Sequence, residues 1–268
     1  MKKIGFIGAG NMATAIINGL ISNKASKPED INVFDLDENK LELMQNKGVN
    51  TLGSSADVVK NSGIIVLAVK PQNYSEVLAD LKPCADDSKI FVSIAAGISI
   101  DYVRRGLSCD CPVVRVMPNT PLLLGKGASA LCPSDNISDR DFDTVKKMFS
   151  LSGTVEVISE EHMNQIISVN GSSPAYVYLL AKVMADYAES CGIEYDKAMN
   201  LICATLIGSA EMLKNSGDSP DKLIEKVSSK GGTTIAALDK LRDYKFEEAV
   251  TEAMKACTNR AEELGKAF

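Results

Sequence analysis

Two glycine-rich stretches of the chain have the residue types and spacing to hold anions. The first is Gly8, Gly10 and Ala13, a G-x-G-x-x-A pattern inside GFIGAGNMATAI. Where a strand turns into a helix on such a pattern, the first glycine permits the tight turn. The second lets the backbone approach a pyrophosphate, which the helix N-terminus attracts through free N–H groups and its dipole. The second stretch is KVSSKGGTTIAAL, Lys226 to Leu238. Gly231 and Gly232 free the backbone there, and the hydroxyls of Ser229, Thr233 and Thr234 gather at a new helix start, a setting that suits an anion. The same residues also fit a plain N-cap, with Thr233 or Thr234 capping IAALDKL.

Asp35 closes the segment INVFD, where a carboxylate accepts hydrogen bonds from the adenosine ribose hydroxyls and repels a 2′-phosphate. That favours NADH over NADPH, although Asn39 and Lys40 are near and Asp35 can instead cap the helix on LDENK. His162 is the one histidine of the chain. Neither the usual zinc ligand set nor a histidine that moves a hydroxyl proton is therefore expected. We expect no metal, and a substrate that is reduced without a strong protein acid. An imine fits, because its nitrogen is basic enough to arrive protonated.

These residues need a frame. Up to about residue 155 the chain alternates β-branched runs (KIGFIG, INVFD, GIIVLAV, KIFVSIA and PVVRVMP, then the weaker GASALC and GTVEVI) with helical patterns starting near Asn11, Asp37, Asn73, Ser99 and Ser138. That rhythm predicts right-handed crossovers and a parallel sheet covered on both faces. Past about residue 158 no strand pattern remains. SPAYVYLLAKVMADYAESCG and DKAMNLICATLIGSAEMLKNSG read as long helices, the second stopping at Gly217, followed by SPDKLIEKV and KFEEAVTEAMKACTNRAEELGK. The expected organisation is α/β: a doubly wound Rossmann-type domain over residues 1–158, then an all-α domain over residues 159–268. The first long helix is apolar on every side and must be covered by something, which predicts a homodimer through the helical domain.

Composition agrees with an ordinary globular chain: 268 residues, 45% apolar, 24% charged and a net charge of −6. Neither nucleic acid nor an anionic membrane surface is an expected partner. No run approaches the roughly 20 apolar residues of a membrane span. Glycines, Asn11 and Asn18 interrupt the opening apolar stretch, so it reads as strand, turn and helix rather than as a signal peptide. Seven cysteines, an odd number, point to a reducing cytoplasm.

GAGNMATAI, AVKP, VRVMPNTP, GSSPAY and VSSKGGTTIAAL, in this order over nearly the whole chain, resemble the pyrroline-5-carboxylate reductases. The resemblance implies reduction of 1-pyrroline-5-carboxylate to L-proline with a hydride from NADH or NADPH. It implies a C-terminal helical domain that interlocks with a second copy, each active site drawing on both subunits. It assigns cofactor contacts to Gly8, Ala9, Gly10, Asn11 and Met12, to Ala68, Val69, Lys70 and Pro71, and to Ala95, Ala96 and Gly97. Asn119, within the Met117–Pro121 segment, is the polar contact it implies near the nicotinamide. Substrate contacts fall to Glu160, Ser229, Gly231, Gly232, Thr233 and Thr234, with Thr234 hydrogen-bonding the ring nitrogen. The chain departs from the family pattern at Ser173, where a glycine is usual, and at Lys230, where a proline is usual. A relative acting on another cyclic imine, a non-catalytic nucleotide-binding paralogue, and a β-hydroxyacid dehydrogenase using Lys182 are the competing readings.

Overall fold

The structure, a computed structural model, describes residues 2–266. Its nucleotide-loop half contains β1 (Ile4–Ile7), α1 (Asn11–Ser22), β2 (Ile31–Phe34), α2 (Glu38–Gln45), β3 (Asn50–Thr51), α3 (Ser55–Lys60), β4 (Ile64–Leu67) and α4 (Tyr74–Leu81). It continues with β5 (Ile90–Ser93), α5 (Ile100–Leu107), β6 (Val113–Met117), β7 (Gly127–Pro133), α6 (Asp139–Ser150) and β8 (Gly153–Val157). After a single π-helical turn over Ile167–Gly171 come α7 (Ser173–Ser190), α8 (Tyr195–Asn215), α9 (Pro220–Lys226), α10 (Thr233–Asp243) and α11 (Phe246–Lys266).

The strands make one sheet in the order β3-β2-β1-β4-β5-β6-β7-β8. Side chains alternate across it: Ile4, Phe6, Ile64, Val66, Ile90 and Val92 enter one apolar cluster with α1 and α6. Ile7, Ile65, Leu67, Phe91 and Val113 enter another with α3, α4 and α5. Burial on both faces is what turns these strands into continuous apolar runs, each large side chain contributing about 1.5–3 kcal/mol. The helices start on local signals. Asp37, Ser99 and Ser138 accept from Asn39 N at 3.1 Å, Tyr102 N at 3.1 Å and Asp141 N at 3.2 Å, capping α2, α5 and α6.

The sheet departs from the all-parallel expectation at one seam. β7 runs antiparallel to β6, and β8 is parallel to β7. The nine residues from Pro118 to Lys126 hold only a 3-10 stretch, Thr120–Leu124, which is too short for a crossover helix, so the chain turns back on itself. β3 and α3 are also additions to the sequence reading; two and six residues carry too little periodicity to register.

The chain divides into two compact units. One comprises the residues through Pro174 together with those from Ala256 onward, and the other is Ala175–Lys255. Within the second unit, α7 and α8 meet through a small cluster, Ala181 and Ala185 against Ala198 and Ile202. Outside that seam, Tyr178, Leu179, Val183, Tyr187, Leu201 and Ile207 are all exposed. Among the described residues no helix is long and apolar enough to cross a membrane, and no three His, Cys, Asp or Glu side chains gather as a metal site.

Candidate active site

In open α/β sheets ligands lie beyond the carboxyl ends of the strands, where the strand order reverses. Here that point lies beside β1, which has β2 on one side and β4 on the other. A cavity of about 750 Å³ opens there. Its floor comes from strand ends: Ile7 of β1, Phe34 of β2, Ala68 after β4, Ile94 after β5 and Met117 of β6.

The glycine loop forms one wall. Gly8 has φ +99°, and a Cβ on it would stand 2.6 Å from the Ala68 carbonyl oxygen, so the turn out of β1 admits only glycine. Gly10 is the N-cap of α1 in extended backbone, and no side chain caps that helix. A Cβ on Gly10 would meet no heavy atom within 4 Å. The cradle is therefore open where a pyrophosphate would approach, and the orphan N–H groups of α1 lie at its edge. Asn11 and Met12 line the same cavity.

Asp35 organises this wall. Its Oδ2 accepts from Ala9 N at 2.7 Å and its Oδ1 from Asp37 N at 2.9 Å, with Lys40 Nζ 3.4 Å from Oδ1. Burial alone would raise the carboxyl, but the two amide donors and the Lys40 ammonium outweigh it and hold the group below the ordinary carboxylate range. Of the two uses open to Asp35 in the sequence, capping α2 is excluded: Asp37 does that. Ala9 itself is buried, and its N–H is taken up by Asp35 rather than turned to the cavity.

The opposite wall holds Val69, Lys70 and Pro71 after β4, then Ala95 and Ala96 after β5. Tyr74, fully buried at the start of α4, locks these two strand ends together. Its hydroxyl donates to the Leu67 carbonyl at 2.9 Å and lies 3.0 Å from Ser93 Oγ. Burial pushes its phenol far above the ordinary range, so it stays a neutral donor. Leu36, Lys40, Glu76 and Asp80 also border the cavity. Lys40 was noted in the sequence as a neighbour of Asp35; Leu36, Glu76 and Asp80 were passed over because side chains spaced along helices or loops have no motif of their own.

Three residues expected at the site do not line this cavity. Gly97, at φ +79°, abuts the end of α11: a Cβ there would be 3.0 Å from Gly265 N and 3.2 Å from the Ala261 carbonyl oxygen. Asn119 is buried and turned into the protein, where its Oδ1 accepts from Ala128 N at 2.8 Å and its Nδ2 donates to the Asn170 carbonyl at 3.1 Å. Glu160, expected beside the substrate, is committed within the sheet unit. Its Oε1 accepts from Ile100 N at 2.8 Å and lies 3.7 Å from the buried guanidinium of Arg115. The motif gave each its address in the chain, and the direction of the side chain was set by packing.

The second glycine stretch is described within its own unit. Gly231 has φ +71°, and a Cβ on Gly232 would stand 2.5 Å from Ser229 Oγ, so both glycines are required by the turn. Gly232 is the N-cap of α10 and no side chain caps it; Thr233 and Thr234 are the first two helical residues. The capping alternative is thereby removed. α10 opens with unclaimed backbone donors, the Ser229 hydroxyl and the half-buried Thr234 grouped around its start. Ser228 Oγ is buried without a partner among the described residues.

The arrangement fits two ligands: a dinucleotide at the strand ends, and a small anion at the start of α10. Residues 160–264 match the family model described as pyrroline-5-carboxylate reductase dimerisation, and residues 3–97 match NADP oxidoreductase coenzyme F420-dependent. The chain is 37% identical over 266 residues to the pyrroline-5-carboxylate reductase of Escherichia coli (strain K12), covering 99% of each. It is 34% identical to pyrroline-5-carboxylate reductase 2 of Bacillus subtilis, covering 100% of this chain and 97% of that one. The crystal structure of a Plasmodium falciparum pyrroline carboxylate reductase with NADP bound superposes with a TM-score of 0.91, at 30% identity and 98% coverage of both chains.

Proposed function

The chain belongs to the pyrroline-5-carboxylate reductase family, and from that premise we infer that it reduces 1-pyrroline-5-carboxylate to L-proline, the last step of proline synthesis. It is an NAD(P)-dependent oxidoreductase whose substrate is a small cyclic imine. The full-length likeness carries this reading, and it favours the proline step over the other cyclic imines and over a β-hydroxyacid dehydrogenase.

Bound at the strand ends, NADH or NADPH supplies the hydride for the imine carbon. Gly10, Asn11 and Met12 hold its pyrophosphate on α1, Gly8 and Ala9 shape the loop through their bonds to Phe34 and Asp35, and Val69, Lys70, Pro71, Ala95 and Ala96 enclose the opposite side. The Ser229 hydroxyl and the free N–H groups at the start of α10, from Thr233 on, receive the substrate carboxylate, with Gly231 and Gly232 forming the turn that presents them. Thr234 hydrogen-bonds the ring nitrogen, orienting the C=N bond and easing the change of charge at nitrogen. Gly97 and Asn119 shape the site from behind.

NADH is the preferred donor in this reading. The Asp35 carboxylate, held ionised, repels a 2′-phosphate; Lys40 offsets part of that repulsion. Oxidation of NADH and of NADPH by the purified chain with 1-pyrroline-5-carboxylate tests both statements. Turnover is expected with each, faster with NADH, and Asp35→Ser should raise the NADPH-to-NADH ratio of kcat/KM by about tenfold, the size of one charge contact. No turnover with either nucleotide removes the assignment, and an unmoved ratio removes Asp35 from selection.

The exposed apolar sides of α7 and α8 support a homo-oligomer in which a second copy covers them. Sedimentation should give at least twice the chain mass. A folded, active monomer would overturn this.

A further inference from the structure

The seam between β6 and β7 is closed in an unusual way. Their ladder pairs Met117 with Ala130 and goes no further, because the next residue on β6, Pro118, has no N–H to give and turns the chain away. Beyond that point Ala128 and Met117 would expose unpaired backbone groups. Two asparagines take the place of the missing strand. Asn170 Nδ2 donates to the Met117 carbonyl at 2.8 Å and to the Ala128 carbonyl at 3.1 Å. Asn119 Oδ1 accepts from Ala128 N at 2.8 Å, and Asn119 Nδ2 donates to the Asn170 backbone carbonyl at 3.1 Å. The result is a closed clasp joining the end of β6, the start of β7 and the π-helical turn.

That turn, Ile167–Gly171, is the only π-helical one among the described residues, and such turns often aim a side chain or backbone group at a functional site. Here both of its last two residues bear on Met117. Asn170 holds the Met117 carbonyl, and Gly171 leaves room for its side chain: a Cβ on Gly171 would stand 2.5 Å from Met117 Cε. Met117 lines the cavity. Asp35 follows β2 and Met117 ends β6, with four strand spacings between them, about 19 Å across the sheet. If Asp35 faces the adenosine ribose, Met117 belongs to the nicotinamide end.

We propose that Asn170 is a positioning residue, which with Asn119 and Gly171 fixes Met117 as a wall of the nicotinamide end of the site. The proposal rests on the dinucleotide reading above. It separates the two ends of one ligand: loosening Met117 disturbs the nicotinamide and leaves the adenosine and pyrophosphate contacts of the glycine loop intact.

The experiment titrates ADP-ribose and NADH into the purified parent, Asn170→Ala and Gly171→Ala, with steady-state kinetics alongside. Asn170→Ala should weaken NADH and lower kcat by ~10-fold each, as expected when two backbone acceptors lose their donor, while ADP-ribose stays within about twofold. Gly171→Ala keeps the clasp and displaces only the end of the Met117 side chain; it should show a smaller NADH loss in the same pattern. If Asn170→Ala does not fold, Gly171→Ala alone decides. NADH affinity and kcat unchanged in a folded variant would overturn the proposal. So would ADP-ribose weakening in step with NADH, since that reports general loosening. A parent that binds neither ligand would bring down the dinucleotide reading itself, a different result from variants that bind both as the parent does.

Discussion

Gly10→Val should fold as the parent does and yet bind NADH and ADP-ribose ~10- to 100-fold more weakly, the equivalent of about 1–3 kcal/mol of steric exclusion. What decides the outcome is the space the new side chain takes. A Cβ at Gly10 meets nothing within 4 Å, so no protein atom must move to admit a branched residue. What it fills is the cavity edge beside the N-terminus of α1, where the backbone donors lie. The helix gives up about 0.5–1 kcal/mol, because valine is a poorer N-cap residue than glycine. Gly8→Ala serves as the contrast. At φ +99° and 2.6 Å from the Ala68 carbonyl oxygen, it strains the join between β1 and β4 and should lower the thermal midpoint as well as binding. Equal affinities for Gly10→Val and the parent, measured by titration calorimetry, would move the nucleotide off this loop.

Thr234→Ala should lower kcat/KM by ~10- to 100-fold, the cost of one hydrogen bond to a polar group of the substrate. Thr234 is the second residue of α10, half-buried, and caps nothing. Loss of its hydroxyl therefore leaves the helix start as it was, and the thermal midpoint should hold. Thr234→Ser, which keeps the hydroxyl, should recover most of the rate. That pairing separates a bond to substrate from a methyl group needed for packing. An unchanged kcat/KM in Thr234→Ala would remove the residue from the reaction.

How legible this was depended on whether a feature is local. Strands β1, β2, β4, β5 and β6 announced themselves because both faces of the sheet are buried and the runs are unbroken. Helix starts at Asp37, Ser99 and Ser138 could be read because a cap is a one-residue signal acting over three residues. Gly8 was readable because only glycine meets the demands of that turn, and Gly10 because it stands two residues on, where a side chain would fill the cradle. The direction of β7 was hidden, since a reversal depends on the length of a connection and on Pro118 rather than on any periodicity. Asn119 and Glu160 show the same limit. A motif places a residue at the end of a strand, but whether its side chain faces a ligand is decided by partners such as Asn170 and Arg115, far away in the chain. That Thr234 does not cap α10 needed the backbone angles of Gly232, which no residue type encodes.

The unit that carries the glycine loop is discontinuous in sequence, its last piece being the C-terminal half of α11. That piece packs backbone to backbone on the loop after β5, where Gly97 meets Gly265. On the ribosome the sheet emerges first, then all of the helical unit, and only afterwards the segment that braces Ala95 to Gly97. A nascent chain thus carries a nearly complete sheet whose nucleotide pocket lacks its final support, and loop closure over so long a sequence separation is slow. The glycine loop and Asp35 thus lie wholly in the part of the unit made first, whereas the contact on Gly97 waits for the segment of α11 made last.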